Sequence, residues 1–193
     1  MKKISLMIAF ILLSTMSAKA QGEVDFGLTA GFINGSGKAS IAGIDVATVA
    51  DGSGFFIGLL AEIGVADKLS IQPEVFYGGI DGEGAIFIPV MAKYYIAEKF
   101  NIQAGPQLDF ITGLNDIEKA IVNTTGFSLG FGAGFDINDN FAVQARYNVG
   151  LNNRIDGDIT GLLDGLDIPG VVNLINPDLK VNTFQIGLVY SFN

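Results

Sequence analysis

Thr125-Gly126-Phe127-Ser128-Leu129-Gly130-Phe131-Gly132-Ala133-Gly134-Phe135 alternates with a period of two from end to end. Successive side chains of an extended chain point to opposite faces. Phe127, Leu129, Phe131, Ala133 and Phe135 therefore share one face, while Ser128, Gly130, Gly132 and Gly134 share the other. The stretch reads as a strand with one bulky apolar face and one face of very small residues.

The same period recurs in seven further segments, 23–33, 54–64, 69–79, 85–96, 101–111, 140–151 and 181–192. In the first, Val24, Phe26, Leu28, Ala30 and Phe32 oppose Asp25, Gly27, Thr29 and Gly31. In 140–151, Phe141, Val143, Ala145, Tyr147, Val149 and Leu151 oppose Gln144, Arg146, Asn148 and Gly150. Each run is close to the length that a tilted strand needs to cross a bilayer. Hydrophobic residues make up 49% of the chain, yet beyond residue 20 no apolar run is long enough for a transmembrane helix. Apolar content without apolar runs means strands.

Alternation by itself does not say which face is wet, because a soluble barrel alternates too, with its apolar face inward. Three features select the inside-out version. The polar faces are mostly Gly, Ser, Thr, Asn and Gln, with few charges, namely Asp25, Glu62, Glu74, Lys93, Asp109 and Arg146. Small residues suit an eight-stranded barrel, whose interior is only wide enough to be filled by side chains. The connections also alternate in length. Tight turns are expected around Asp67-Lys68, Glu98-Lys99 and Asn138-Asp139, opposite loops at 34–53, 114–124 and 152–180 and a short link at 81–84. Short turns on one side and longer loops on the other are the outer-membrane arrangement. Finally, an even number of strands closes without a free edge, and aromatics gather near segment ends, as in Tyr77, Tyr94, Phe110, Tyr147, Tyr190 and Phe192. The expected fold is all-β, an eight-stranded antiparallel up-and-down transmembrane β-barrel. Pro73, Pro89 and Pro106 fall inside three of its strands and are expected at bulges. The competing reading is a soluble fold with shorter strands.

The N-terminus has the form of an export signal. Lys2 and Lys3 precede an apolar stretch from Ile4 to Met16, and Ala18-Lys19-Ala20 supplies a small-x-small cleavage site. Residues 1–20 are thus expected to be a signal peptide directing Sec-type export, and 21–193 the barrel domain. Losing Lys2, Lys3 and Lys19 takes the formal charge from −9 to −12. So acidic a chain argues against nucleic-acid binding, which requires clustered Lys and Arg. There is no cysteine, hence neither a disulfide nor a lipid-bearing Cys after the signal.

A short repeat marks the turns. Asp67-Lys68-Leu69-Ser70-Ile71-Gln72 matches Glu98-Lys99-Phe100-Asn101-Ile102-Gln103, with a looser copy in Asp139-Asn140-Phe141-Ala142-Val143-Gln144. Together with Ile88-Pro89-Val90-Met91-Ala92-Lys93-Tyr94-Tyr95 and Gln103-Ala104-Gly105-Pro106, these residues resemble the outer-membrane β-barrel family common in Bacteroidota. These are the PorT-like or "porin family" small barrels of OmpA/OmpX-like fold. The resemblance spans 21–193 and implies an outer-membrane location in a Gram-negative cell, but no particular chemistry. It departs at Ser191-Phe192-Asn193, where the final aromatic stands one place before the end.

The chain has no histidine, which removes Ser-His and His-Asp mechanisms and, with no cysteine, the usual zinc and copper sites. No catalytic residue, cofactor or metal site is assigned, and no enzyme activity is expected. Glu62, Glu74, Lys93, Asp109 and Arg146 are expected in the lumen as a structural polar cluster, with Lys93 between Glu74 and Asp109. Asp156, Asp158, Thr160, Gly161, Asp164 and Asp167 fall at positions 1, 3, 5, 6, 9 and 12 of a calcium loop, but Thr at 5 and Asp at 12 depart from it. The stretch is read as an acidic solvated loop. Residues 161–175 are apolar, including Leu162, Leu163, Leu166, Ile168, Val171 and Val172, and are read as a cap on the rim.

The functional expectation is a monomer with a polar, plugged lumen and a structural or loop-mediated role. Its partners would be outer-membrane lipid and lipopolysaccharide, the barrel-assembly machinery during biogenesis, and a protein at the surface loops. The alternatives are transport of small or hydrophobic solutes, or a soluble secreted β-barrel binding protein.

Overall fold

The computed structural model describes residues 24–41, 44–114, 122–155 and 177–192. The expected signal at 1–20, the candidate calcium positions from Asp156 to Asp167 and the apolar stretch 161–175 lie outside the described residues.

Eight strands form one closed antiparallel barrel in sequence order. They are β1 (Val24–Ile41), β2 (Ile44–Ala66), β3 (Leu69–Ile80), β4 (Glu83–Ala97), β5 (Phe100–Thr112), β6 (Thr125–Asp136), β7 (Phe141–Gly150) and β8 (Pro177–Ser191). Closure is made by β1 against β8, paired from Gly27↔Ser191 to Ile41↔Pro177. The faces fall as the alternation dictates. Phe127, Phe131, Tyr147, Ile186 and Leu188 point outward, whereas Gln72, Lys93, Gln107, Arg146 and Gln185 are buried inside. An outer surface this apolar suits hydrocarbon and does not favour the soluble reading. Beside the tight turns, Tyr190 packs at a tilt on Phe141 and edge-on to Phe192, with ring centroids 5.0 and 5.7 Å apart, a grouping suited to a membrane interface.

The turns behave as their chemistry requires. Asp81 and Gly82 join β3 to β4 with φ of 51° and 92°, the left-handed pair of a two-residue hairpin turn. Glycine is needed at the second position because the larger positive φ there strains any side chain.

Two expectations are corrected. The interval 34–53 is not a loop: β1 and β2 continue as a paired hairpin up to Ile41↔Ile44, with register shifts at Ser36/Gly37 and Ala39/Ser40. β8 likewise starts at Pro177 rather than residue 181. Above the bilayer a strand needs no apolar outer face, so backbone pairing outlasts the alternation by which strands were recognised. β8, β1 and β2 therefore rise together past the rest of the wall.

The prolines are not at bulges. Register runs unbroken past all three, from Leu60↔Glu74 to Ile63↔Ile71, from Pro73↔Val90 to Phe76↔Phe87, and from Pro89↔Gln107 to Ala92↔Ala104. The pairing lapses only locally, where Pro73 opposes Ala61, Pro89 opposes Glu74 and Pro106 opposes Val90. Each proline lacks the N–H that would reach the preceding strand, so three consecutive strand pairs lose a rung without shifting register.

The topology fixes orientation. An epitope inserted between Ile41 and Ile44 should be stained on intact cells, and the same epitope between Asp67 and Lys68 only after permeabilisation. The reverse pattern would mean the barrel is inserted the other way up.

Candidate functional site

The chemistry of the barrel lies in its lumen, and β6 makes room for it. A Cβ at Gly132 would come 2.8 Å from Arg146 Cγ, and one at Gly134 2.8 Å from Asn101 Oδ1 and Gln103 Nε2. The long polar side chains of β5 and β7 thus occupy space that the glycines of β6 leave open.

At mid-height Arg146 is the centre of a closed network. Its Nη2 pairs with Glu74 and also donates to Gln144 Oε1, while its Nε donates to Gln103 Oε1 at 2.8 Å. Gln72 Nε2 donates to Glu74 Oε1 at 2.5 Å and to Gln144 Oε1 at 3.3 Å. Pairing is what makes these buried charges tolerable, since an isolated one costs several kcal/mol or more. Nearer the tight turns, Lys93 Nζ lies 2.5 Å from Glu62 Oε2. Ser70 Oγ and Tyr95 OH donate to the other Glu62 oxygen at 2.6 and 3.0 Å. Nearer the loops, Arg154 pairs with Asp109 across the gap left by Gly126.

All five residues expected in the lumen are there, but their pairing is corrected. Lys93 does not bridge Glu74 and Asp109. Glu74 goes to Arg146, Asp109 to Arg154, and Lys93 to Glu62. Adjacent strands fix only neighbours along the wall, whereas Arg146 reaches Glu74 across the lumen. Arg154 was missed because it follows β7 in an irregular segment, where period two gives no orientation. It is held by backbone bonds from Arg154 N–H to Leu179 C=O at 2.8 Å and from Asn123 N–H to Arg154 C=O at 2.8 Å.

The lumen is also less uniformly polar than expected. Phe56, Phe76 and Phe87 stack inside it with Ile33, at centroid distances of 4.7 and 5.0 Å along the three rings. The signal was present in the sequence: Phe55-Phe56-Ile57, Val75-Phe76-Tyr77 and Ile86-Phe87-Ile88 are apolar on both faces.

The network and the stack divide the interior. A chamber of about 290 Å³ opens on the loop side and another of about 280 Å³ on the turn side. Between them, beside Arg146, Gln144 and Gln185, lies a space of only about 10 Å³, room for about one water. Among the described residues no group of His, Cys, Asp and Glu is arranged to hold a metal ion.

The sequence matches the family model described as outer membrane protein beta-barrel domain over residues 5–192. The chain belongs to this family. Its place is therefore the cell outer membrane, which agrees with the apolar belt and the closed sheet. Neisserial surface protein A is similar in structure, with 11% identity, 88% of this chain and 99% of that chain covered, and a TM-score of 0.52. Ail, the attachment invasion locus protein of Yersinia pestis, is 15% identical over 88% of this chain and 99% of its own, with a TM-score of 0.48. OprG from Pseudomonas aeruginosa is 13% identical over 89% and 97%, with a TM-score of 0.44. At such identities the likeness is one of fold. No curated protein matches the chain.

The pairing ranks the lumen charges. Arg146→Met should destabilise the barrel by about 3 kcal/mol in urea titrations followed by gel mobility, because it strands a buried Glu74. The double variant Arg146→Met/Glu74→Gln should recover most of that loss. Lys93→Ala should cost less, about 2 kcal/mol, since Glu62 keeps Ser70 and Tyr95. Equal losses in the two single variants would sink this ranking.

Proposed function

We propose that this outer-membrane barrel works by recognition at its loop-side rim and does not conduct. The observation that carries the reading is the closed mid-section, where Arg146, Glu74, Gln72 and Gln144 bond to one another and leave about 10 Å³ beside them. A lumen filled in this way offers no continuous aqueous path. What remains for interaction is the raised wall of β8, β1 and β2, whose backbone pairing continues beyond the other strands.

The rest of the reading follows from chemistry already described. Without histidine or cysteine, and with Glu62, Glu74 and Asp109 committed to ion pairs, the barrel is assigned no enzymatic role. Residues 1–20 serve as the export signal, and the barrel acts as a monomer assembled by the barrel-assembly machinery among outer-membrane lipid and lipopolysaccharide. A protein is the partner at the rim. Kinship with the PorT-like barrels of Bacteroidota rests on the motifs around Ile88-Pro89-Val90 and Gln103-Ala104-Gly105-Pro106.

Planar bilayer recordings test the reading directly. The purified barrel should insert without producing resolved current steps in molar salt, and Lys93→Ala should be equally silent because the Arg146 network lies elsewhere. Stable steps from the unmodified protein would overturn the closed lumen and restore a transport role.

A further inference from the structure

The loop-side chamber departs from the rest of the lumen. At mid-height the interior is filled by side chains, as an eight-stranded barrel requires, and the turn-side chamber is lined mainly by polar residues such as Glu62, Lys93 and Asp136. Here about 290 Å³ stays open, at the small end of the range for ligand sites, about 300–1,000 Å³. Its walls are mainly apolar, built by Ile80, Ala85, Phe87, Ile111, Leu114 and Val181, while Gln107 and Ser128 on the lining bond to each other at 3.4 Å. Of the apolar residues only Phe87 is fully buried; the others keep part of their surface exposed to the open space. Polar residues at those positions would be well hydrated, so apolar ones facing an opening are the informative choice.

Three further features define what would fit. Arg154 and Asp109 line the chamber but neutralise each other, so neither is left to bind a charged ligand. Asp81 and Glu83 stand exposed on its lining and oppose the approach of anions. Thr183 also lines it, buried, and its hydroxyl oxygen already accepts from Asn148 Nδ2 at 3.0 Å. The Thr183 proton is therefore available to an acceptor oxygen in the chamber.

We propose that this chamber is a binding site for an uncharged apolar molecule of single-ring or medium-chain size carrying one oxygen, such as a phenol, alcohol or ketone. The apolar body lies against Ile80, Phe87, Ile111 and Val181, and the oxygen accepts from Thr183. The site goes beyond the rim-recognition reading but shares with it the closed mid-section, which makes the chamber a blind pocket.

The test is methyl NMR of the detergent-solubilised barrel titrated with 4-propylphenol. Shifts should saturate at the Ile80, Ile111 and Val181 methyls and not at the outward Ile57, Leu59 and Leu188. 4-Propylbenzoate, of similar shape but anionic, should leave the chamber methyls unmoved. Thr183→Val should weaken binding about fivefold or more, the effect of one lost hydrogen bond. Ala85→Leu should abolish binding by filling the space, with gel mobility reporting that the barrel still forms. Shifts that never saturate, that track the outward methyls as in detergent partitioning, or that persist unchanged in both variants would overturn the site. Bilayer conductance is read separately: a conducting barrel that still binds saturably in the chamber would remove only the blind pocket.

Discussion

Everything in this barrel follows from the pairing of β1 with β8. A sheet in hydrocarbon cannot leave an edge of unpaired N–H and C=O groups, so the chain must return to its first strand or fail to insert. Closing after eight strands sets the diameter, and the diameter sets the lumen problem: an interior just wide enough for side chains must be filled by them. The outer face can then be any apolar residue of reasonable size, whereas the inner face must be solved as a packing problem.

The solution is uneven along the axis. On the turn side and at mid-height the interior is polar, with charges matched in pairs and amides bridging between them. Above this lies the stack of Phe56, Phe76 and Phe87, and above the stack an opening with apolar walls. β6 contributes mainly by absence, since its glycines make room for Arg146, Asn101, Gln103 and the Arg154–Asp109 pair. A side chain at Gly132 or Gly134 would collide with residues that neutralise or fix the buried charges.

The wall itself tolerates defects where the interior does not. Pro73, Pro89 and Pro106 each remove a rung toward the preceding strand, yet the register passes them unchanged. Register is set over a whole strand by turns and by the in-out alternation, and a slip of one residue would exchange every inner for every outer side chain. One missing hydrogen bond is small against that penalty.

The sequence by itself determined the strand number, the orientation of nearly every side chain in the membrane, and the membership of Glu62, Glu74, Lys93, Asp109 and Arg146 in the lumen. All of these depend on a local rule, the period of two, imposed by apolar solvent on one face. It failed where that solvent ends. Beyond the bilayer β1 and β2 keep pairing from Asn34↔Ser53 to Ile41↔Ile44, and Arg154 enters the lumen from a segment with no period. Only the tertiary structure decided which charge meets which, because partners such as Arg146 and Glu74 lie on strands far apart in the chain and face each other across the lumen. It alone also placed the tightly packed mid-section beneath an open, mainly apolar chamber, since the volume left over depends on all eight inner faces at once.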